Sequence, residues 1–502
     1  MASIVHLLNK KSGITYAYTN ERVYDEAAKR YVNRRRCIGH VDPKTGEIIP
    51  NRSKKESRTF TVRSSGLNIL FTKISSDIGL TRALQTAFSR QWEMILTCAI
   101  YCTCDKKPMT NIGVWTSEND SPAGKQVTQM DLNNMMVSID TGSVDAFLRL
   151  WNKRMEDRQG VIFSFGCIDS YLRRPEESKF GLRLGHDSFV SDYEICFGRD
   201  SRMPIGYRYH TVPPADFNDI FTGYSRFPWS ETGDYIYLLN PEMFADNDLD
   251  EMIGSRENFI AEIPNSHGHS MDAIRDYLSR RAGGDGSIVN TGKGFYFRRD
   301  LEIDGRTLHQ HLCYNIEQGE AESASFIGLI DKCRRELERE HIVTSHAPIY
   351  ENYYLLVQEE DGSVHIDLNS QRIMDATATA GFRTILTDVD IRPYEVFEWI
   401  RIRNDTSYLY DNMRNTADNS ALKLYLATNS SSRDFIQFIA LILMSGLRKR
   451  MKETGLSDRF SFYDVINAMS SLMTITVDGR KGPATSELTD DQRFISDTLD
   501  IL

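Results

Sequence analysis

The sequence predicts an α/β protein, α+β overall, built on a mixed and mostly parallel sheet flanked by helices. Three observations lead there. Short apolar runs of strand length follow one another: Val161–Ile168, Tyr193–Phe197, Met203–Tyr209, Tyr235–Leu239 and Phe259–Ile263, with helical stretches between the later ones. Before them, from Gly66 to about Lys153, apolar residues recur at helical spacing: Ile69, Leu70, Ile74 and Ile78, then Leu84, Phe88, Trp92, Ile95 and Leu96. After them come two long helical patterns, Pro393–Arg414 and Phe435–Leu447.

A chain of 502 residues is long enough for two to four domains and a sizeable core. Its apolar share of 40% and charged share of 26% are those of an ordinary globular protein. The net charge of −10 is unevenly placed. Residues 1–60 hold 13 Lys/Arg against 6 Asp/Glu, a net of +7, which leaves −17 for the remainder. That asymmetry suggests a cationic arm for nucleic acid on an acidic body. The eight cysteines are scattered in apolar surroundings, as suits free thiols in a reducing compartment. Cys98-x-x-x-Cys102-x-Cys104 has no second pair at zinc spacing, so no metal site is expected there. The longest apolar run, Phe435–Met444, is interrupted by Gln437 and is about half a membrane span. With no leader pattern at the start, the expectation is a soluble cytoplasmic protein, nucleoid-associated in a bacterium, with no membrane partner.

Along the chain, Ile14, Tyr16 and Tyr18 alternate as in a strand. Arg34-Arg35-Arg36 leads into two β-rich pieces joined by the turn residues Asp42-Pro-Lys-Thr-Gly46, a small hairpin carrying arginines. Lys54, Lys55 and Arg58 continue the positive charge, and Arg34, Arg35, Arg36, Lys54 and Lys55 are the candidate phosphate contacts. In the core, Gly198-Arg-Asp-Ser-Arg202 joins two strands as a hairpin, Phe217–Thr222 and Asp246–Ile253 suit helices, and Pro264 stops the strand ending at Ile263. Residues 285–380 break the rhythm: strands and turns, then a charged helix over about Glu320–Glu340, then further short strands. Thr489 is placed to cap a last helix. The expected organisation is a basic hairpin arm (1–60), a helical region (61–155), the first part of the core (156–284), a β-rich insertion (285–380), and the last core strand with the C-terminal helices (381–502).

Pro393 opens the helix that the chain is arranged around, at a position where its missing N–H costs nothing. Ile400, Arg403, Ser407, Tyr410 and Arg414 recur at steps of three and four and share one face. That face mixes apolar, cationic, hydroxyl and aromatic groups and has no carboxylate. A half-buried helix with snorkelling arginines would look the same. No Gly-rich phosphate loop, Ser-His-Asp set or HExxH helix is present. His267-x-His269 and His309-x-His311 would each aim two imidazoles to one side of a strand, without a carboxylate at a matching offset.

Taken together, these pieces resemble the insertion-sequence DDE transposases, the branch whose RNase H-like catalytic domain carries a β-rich insertion before its last catalytic helix. The resemblance runs over nearly the whole chain. Arg34-Arg-Arg-Cys-Ile-Gly-His-Val-Asp-Pro-Lys-Thr-Gly-Glu-Ile-Ile-Pro50 is similar to that family's opening hairpin. Gly66–Trp115 looks like its helical DNA-binding region, and Val161–Ile263 like its RNase H-like core. Phe435–Leu443 and Leu488–Ile495 resemble its C-terminal helices.

In that family two aspartates and a glutamate hold two divalent ions for phosphoryl transfer. Carried over position by position, the first-strand aspartate falls at Ser164, the fourth-strand aspartate at Asn240 and the helix glutamate at Ser407. Arg403 is kept from the helix motif, Ile400 stands where the family has tyrosine, and Arg414 stands where it has lysine. Neutral oxygens hold Mg²⁺ poorly, since that ion is bound mainly through carboxylates and phosphates. The resemblance therefore implies a DNA-binding protein related to cut-and-paste transposition and impaired in catalysis. Arg403 and Arg414 become candidate DNA contacts, double-stranded element ends the partner, and no bound cofactor is expected. A homodimer on paired ends is implied as well. Two alternatives stand beside this. An active enzyme would use Mg²⁺ or Mn²⁺ on shifted acids, Asp169, Glu242 and Asp411; a non-catalytic scaffold would bind no DNA.

Overall fold

The computed structural model describes residues 3–25, 29–50, 60–105, 107, 109–168, 189–210, 234–239, 248–255, 257–283, 288–290, 294–339, 341–358, 364–415, 430–477 and 483–502. Two compact units emerge: Met1–Val62 with Met473–Ser486, and Arg63–Leu472 with Glu487–Leu502.

The first unit is dominated by an antiparallel sheet of four strands in sequential order, β1 (Ser3–Asn9), β2 (Ile14–Asp25), β3 (Arg30–Val41) and β4 (Ile48–Pro50). The expected arginine hairpin is its β3–β4 arm. Asp42 makes the turn, its carboxylate accepting the Lys44 amide at 2.8 Å and its carbonyl the Gly46 amide at 2.9 Å. The sheet is thin. Of its described apolar side chains only Ala17 is fully buried, while Ile4, Leu8 and Tyr31 lie more than half exposed. A fifth strand, β5 (Phe60–Ser64), follows.

The second unit starts with six helices: α1 (Gly66–Asp77), α2 (Leu80–Ala87), α3 (Trp92–Cys104), α4 (Ile112–Glu118), α5 (Gln129–Ser138) and α6 (Thr141–Met155). The strands β6 (Gln159–Ile168), β7 (Phe189–Gly198) and β8 (Pro204–His210) form an antiparallel meander. On the other side of β6, β9 (Asp234–Leu239) runs parallel to it. Helix α7 (Asp248–Ser255) leads to β10 (Asn258–Ile263), parallel to β9. Strand, hairpin, strand, helix and strand thus follow one another here, within a mixed sheet.

Helix α8 (Gly268–Ala282) comes next, then β11 (Val289–Asn290), β12 (Gly294–Ile303) and β13 (Arg306–Asn315). They are followed by α9 (Ile316–Glu338), α10 (Ala347–Tyr353), β14 (Tyr354–Gln358), β15 (Val364–Leu368) and α11 (Ser370–Ala378). β16 (Phe382–Thr387) returns to the sheet between β13 and β10, antiparallel to both. The nine strands stand in the order β11-β12-β13-β16-β10-β9-β6-β7-β8. Only the β6–β9 and β9–β10 neighbours are parallel. The expectation of a mostly parallel sheet is thus corrected: tight turns after β7 and β12 force antiparallel neighbours, and parallel pairing survives only where a longer connection intervenes.

Residues 285–380 therefore supply strands to the central sheet, a helical block, and a separate β14–β15 ribbon. The last segment holds α12 (Pro393–Asn415), α13 (Ser430–Glu453), α14 (Phe462–Ser470), β17 (Met473–Val477), β18 (Ala484–Thr485) and α15 (Asp490–Leu499). β18, β17 and β5 form a small three-stranded sheet. Thr489 caps α15 as expected, in a reciprocal capping box with Gln492.

One continuous core joins the helices to one face of the sheet. It runs from Leu67 and Phe71 on α1, through Phe147 and Trp151 on α6, to Phe435–Leu443 on α13, and reaches Val161, Phe163, Ile236, Leu238 and Ile260 on the sheet. The opposite face builds a second core from Ile162, Cys196, Tyr235, Tyr237, Leu239, Phe259, Ala261 and Ile263. Strand alternation explains the division, because neighbouring residues point to opposite faces. Helix α6 is fixed to the edge strand by polar contacts: the Trp151 indole donates to the Pro204 carbonyl at 2.7 Å and the Asn152 amide to Ile205 at 2.6 Å. Among the described residues no helix is long and apolar enough to cross a membrane.

Candidate functional site

Of the three triad positions that the resemblance implies, Ser164 and Ser407 fall among the described residues, on β6 and α12. In the parallel β6–β9 register Phe163 pairs with Leu238, and in β9–β10 Ala261 pairs with Leu239. Ser164 lies one residue beyond Phe163 in β6, directly across from Glu194 on β7. Asn240 follows the last residue of β9 and lies outside the described residues, as do Asp169, Glu242, Lys54 and Lys55. Ser407 is half-buried on α12, one turn beyond Arg403. Asp411 and Arg414 belong to the same helix, and their side chains fall outside what the structure describes.

Helix α12 is held to the sheet at two points, one beside the start of β6 and one at the end of β9. Near its start, Glu395 meets Arg199 and Arg202, both at 3.2 Å, and the Arg202 guanidinium lies 4.2 Å from the centre of the Trp399 ring. Burial would raise the Glu395 carboxyl, but the two guanidinium groups outweigh it and hold it below its ordinary value. Those arginines sit in the β7–β8 turn, where the Asp157 carboxylate accepts the amides of Asp200 at 2.8 Å and Ser201 at 2.9 Å. Trp399 then packs on Phe163 and Phe197, with ring centres 6.0 and 6.4 Å apart. Phe163 is thus the β6 residue that meets α12 at this level. Glu194, opposite Ser164, follows the other parity: its neighbour Ile195 joins the α12-side core and Cys196 the opposite one.

The second point is Arg403. It is buried, with 5% of its surface exposed, and donates from Nη2 to Glu262 of β10 at 2.6 Å and from Nη1 to the Leu239 carbonyl at 3.4 Å. Glu262 also lies 3.4 Å from Arg383 of β16, and Arg383 pairs in turn with Glu322 of α9. Burial acts to raise Glu322, but the Arg383 charge together with hydrogen bonds from Arg383, the Gly381 amide and Gln318 outweighs it and leaves the carboxyl below its ordinary value. Four alternating charges therefore cross from α12 through β10 and β16 to α9. Breaking one member of such a buried pair typically costs about 3–5 kcal/mol, because the other charge is left without a partner in a dry setting.

This geometry redefines the part expected of Arg403. The resemblance made it a candidate DNA contact on a half-buried helix face; in the fold it is buried, its guanidinium engaged by Glu262, Leu239 and Asn404. The buried stripe of α12 is Val396, Trp399, Ile400, Arg403 and Thr406. The two carboxylates that sequence reading passed over here are Glu262 and Glu194. Glu262 was visible as the one charge in the apolar run Phe259-Ile-Ala-Glu-Ile263, and a buried charge in such a run signals a paired one. Glu194 is fully buried, 3.8 Å from Arg208 on the neighbouring strand.

Arg34, Arg35 and Arg36 are all exposed on β3, where they face Glu21, Asn20 and Thr19 across the sheet. On the same sheet the Arg22 guanidinium lies 5.1 Å from the Tyr31 ring, beside Tyr24.

The histidine pairs depart from expectation. His267 and His269 do not lie on a strand: Pro264 ends β10, His267 caps α8, and its Nδ1 accepts the His269 amide at 3.3 Å. His309 and His311 are on β13, and His309 does have a carboxylate, Asp300, at 2.8 Å across the hairpin. The missed signal is Asp304-Gly305, both at positive φ (50° and 75°), a two-residue turn that sets Asp300 opposite His309. Arg298 bridges the same pair to Asp390 at 2.9 Å, forming an ion network at the strand end. Cys98, Cys102 and Cys104 stay in the apolar surroundings of α3, where burial pushes the Cys102 thiol up to about 12 and keeps it protonated.

No family model matches the chain, and no curated protein matches it. Among solved structures, the chain is similar to a cryo-EM structure of a piggyBac transposase synaptic complex with hairpin DNA. The likeness has a TM-score of 0.25 at 8% identity and spans 86% of each chain. A likeness of that score carries no argument for fold or function.

Proposed function

We propose that this protein binds double-stranded DNA through its cationic N-terminal sheet and is derived from a transposase that has lost metal-dependent strand transfer. The binding half rests on charge and exposure. Three consecutive exposed arginines stand on one strand of a unit whose first 60 residues carry +7, ahead of an acidic remainder. Each phosphate neutralised releases condensed counterions, so the interaction is favourable and steeply salt-dependent.

The Glu262 site supports the loss of catalysis in this reading. Two-metal phosphoryl transfer needs carboxylates with charge to spare, converging on ions about 4 Å apart. Where α12 meets β10, the carboxylate supplied by the described residues is shared between Arg403 and Arg383. A guanidinium seated there repels a divalent ion and occupies the oxygen that would bind it.

The test uses the full-length purified chain and end-labelled duplex DNA. Binding by anisotropy across a salt series is expected to weaken steeply as salt rises, with no nicked or joined product after incubation in Mg²⁺ or Mn²⁺. Nicking that chelator abolishes would overturn the loss of catalysis and return attention to Asp169, Glu242 and Asp411. Binding that is absent, or insensitive to salt, would favour an interaction scaffold without DNA.

A further inference from the structure

The helical block after β13 holds a cluster that the DNA reading does not use. Cys333 and Glu336 stand three residues apart on α9 and so share a face. His346 closes a short 3₁₀ turn, Thr344–His346, immediately before α10. One ligand atom from each of Cys333, Glu336 and His346 lies within 4.8 Å of the other two. Cys333 is fully buried and His346 is 1% exposed, whereas Glu336 is only partly covered and opens the cluster to solvent. We propose that Cys333, Glu336 and His346 form a binding site for a borderline divalent cation, Zn²⁺ being the best fit.

The donor set supports that choice. Thiolate sulfur, imidazole nitrogen and carboxylate oxygen are the ligands Zn²⁺ takes, and three protein ligands leave a fourth tetrahedral position for water. Mg²⁺ and Ca²⁺ would reject the sulfur. The charges also close: one thiolate and one carboxylate neutralise a divalent ion in a buried setting. On binding, the Cys333 S–H bond breaks, the S–metal bond forms, and the proton leaves to solvent.

The carboxylate is already prepared. Glu336 Oε2 accepts hydrogen bonds from His346 Nδ1 and the Tyr350 hydroxyl, both at 2.6 Å. Its second oxygen remains as a further lone-pair donor, and the pair of bonds fixes the geometry, as ligand-orienting hydrogen bonds do in metal centres.

The fold has a use for such an ion. The core beneath the cluster is a small satellite, with Phe326, Leu329, Ile330, Ile349 and Tyr354 around Cys333. A core of that size supplies little stability, and small modules of this kind are commonly stapled by a metal. An ion here would tie α9 to the segment entering α10, eight residues beyond the end of the helix.

The experiment titrates the full-length, reduced protein with Co²⁺ and then competes with Zn²⁺. Expected are a near-ultraviolet sulfur-to-cobalt charge-transfer band at one ion per chain and its loss on adding Zn²⁺. Cys333→Ser should abolish the band, and His346→Gln should weaken affinity at least about tenfold. A second reading on the unmutated protein follows alkylation of each cysteine by mass spectrometry: Zn²⁺ should slow modification of Cys333 and leave Cys98 and Cys196 unchanged. No band, a band that persists at unchanged affinity in Cys333→Ser, or no protection of Cys333 would overturn the site and leave a hydrogen-bonded cluster.

Discussion

Arg403 of α12 and Glu262 of β10, 141 residues apart in the chain, meet at 2.6 Å in a setting nearly closed to solvent. The pair joins the helix on which the resemblance places a catalytic glutamate to the strand beside the one on which it places an aspartate. The pair is a structural joint between helix and strand.

Removing one half of that joint should be costly. Glu262→Gln or Arg403→Met is expected to lower unfolding free energy by about 3 kcal/mol or more, since the surviving charge stays buried without its partner. The double substitution should cost less than the sum of the two. Urea titrations of the four proteins give the coupling, and strict additivity would refute the joint.

Replacing Arg34, Arg35 and Arg36 together by Ala should leave the thermal midpoint nearly unchanged, because all three are exposed. Affinity for duplex DNA should fall. The slope of log affinity against log salt should become shallower by about 2 to 3, close to one unit for each phosphate no longer neutralised. Anisotropy titrations at four or more salt concentrations would measure it.

His311 makes stability depend on pH. Burial, reinforced by the positive charges of Arg298 and His309, lowers its imidazole from an ordinary 6.5 to about 4, with Asp300 and Asp390 acting weakly the other way. Above pH 6.5 both folded and unfolded forms are neutral and the full stability is present. As pH falls from 6.5 towards 4, the unfolded chain takes up a proton that the folded chain refuses, so stability is lost. The ceiling on this contribution is about 3 kcal/mol. Denaturation midpoints at pH 7.5, 6 and 4.5 should fall more steeply for the unmutated protein than for His311→Phe, which has no proton to accept. Its partner at 2.6 Å, the Tyr296 hydroxyl, makes some loss of stability in the variant at every pH the expected baseline.

Gly381 should tolerate no side chain. Its φ of +80° is left-handed, and a Cβ there would come within 2.6 Å of the Gly319 Cα on α9. The backbone penalty alone is about 1–2 kcal/mol, with the clash added to it. Gly381→Ala should therefore lower the thermal midpoint clearly, whereas Gly305→Ala, also left-handed but facing open space, should lower it by the backbone term alone.

How much of this was legible beforehand follows from what each feature depends on. The strands β6 to β10, the hairpin turn at 198–202, helix α12 with its opening Pro393, and the Thr489 cap are written in local pattern, and the fold keeps them. Sheet membership is not local. That β12, β13 and β16 extend the central sheet depends on pairings between residues such as Leu312 and Thr384, far apart in the chain. The direction of Arg403 is also a tertiary fact: its helical phase was visible, but whether that phase faced water depended on Glu262 being delivered to the same spot. The α9–α10 cluster escaped because its members belong to two elements joined by a connection without periodic pattern.

The β1–β4 sheet carries one more consequence. It has a full ladder of backbone hydrogen bonds and almost no interior, with Ala17 the one fully buried apolar side chain among its described residues. A ladder shielded so little opens at small cost, and its amides should exchange with solvent far sooner than those of β6 or β9. Anything that settles on Arg34–Arg36 closes that opening by mass action, as a ligand does for the form it binds. The arm thus reports its own occupancy: hydrogen exchange along β2 and β3 would register a bound partner before its identity was known.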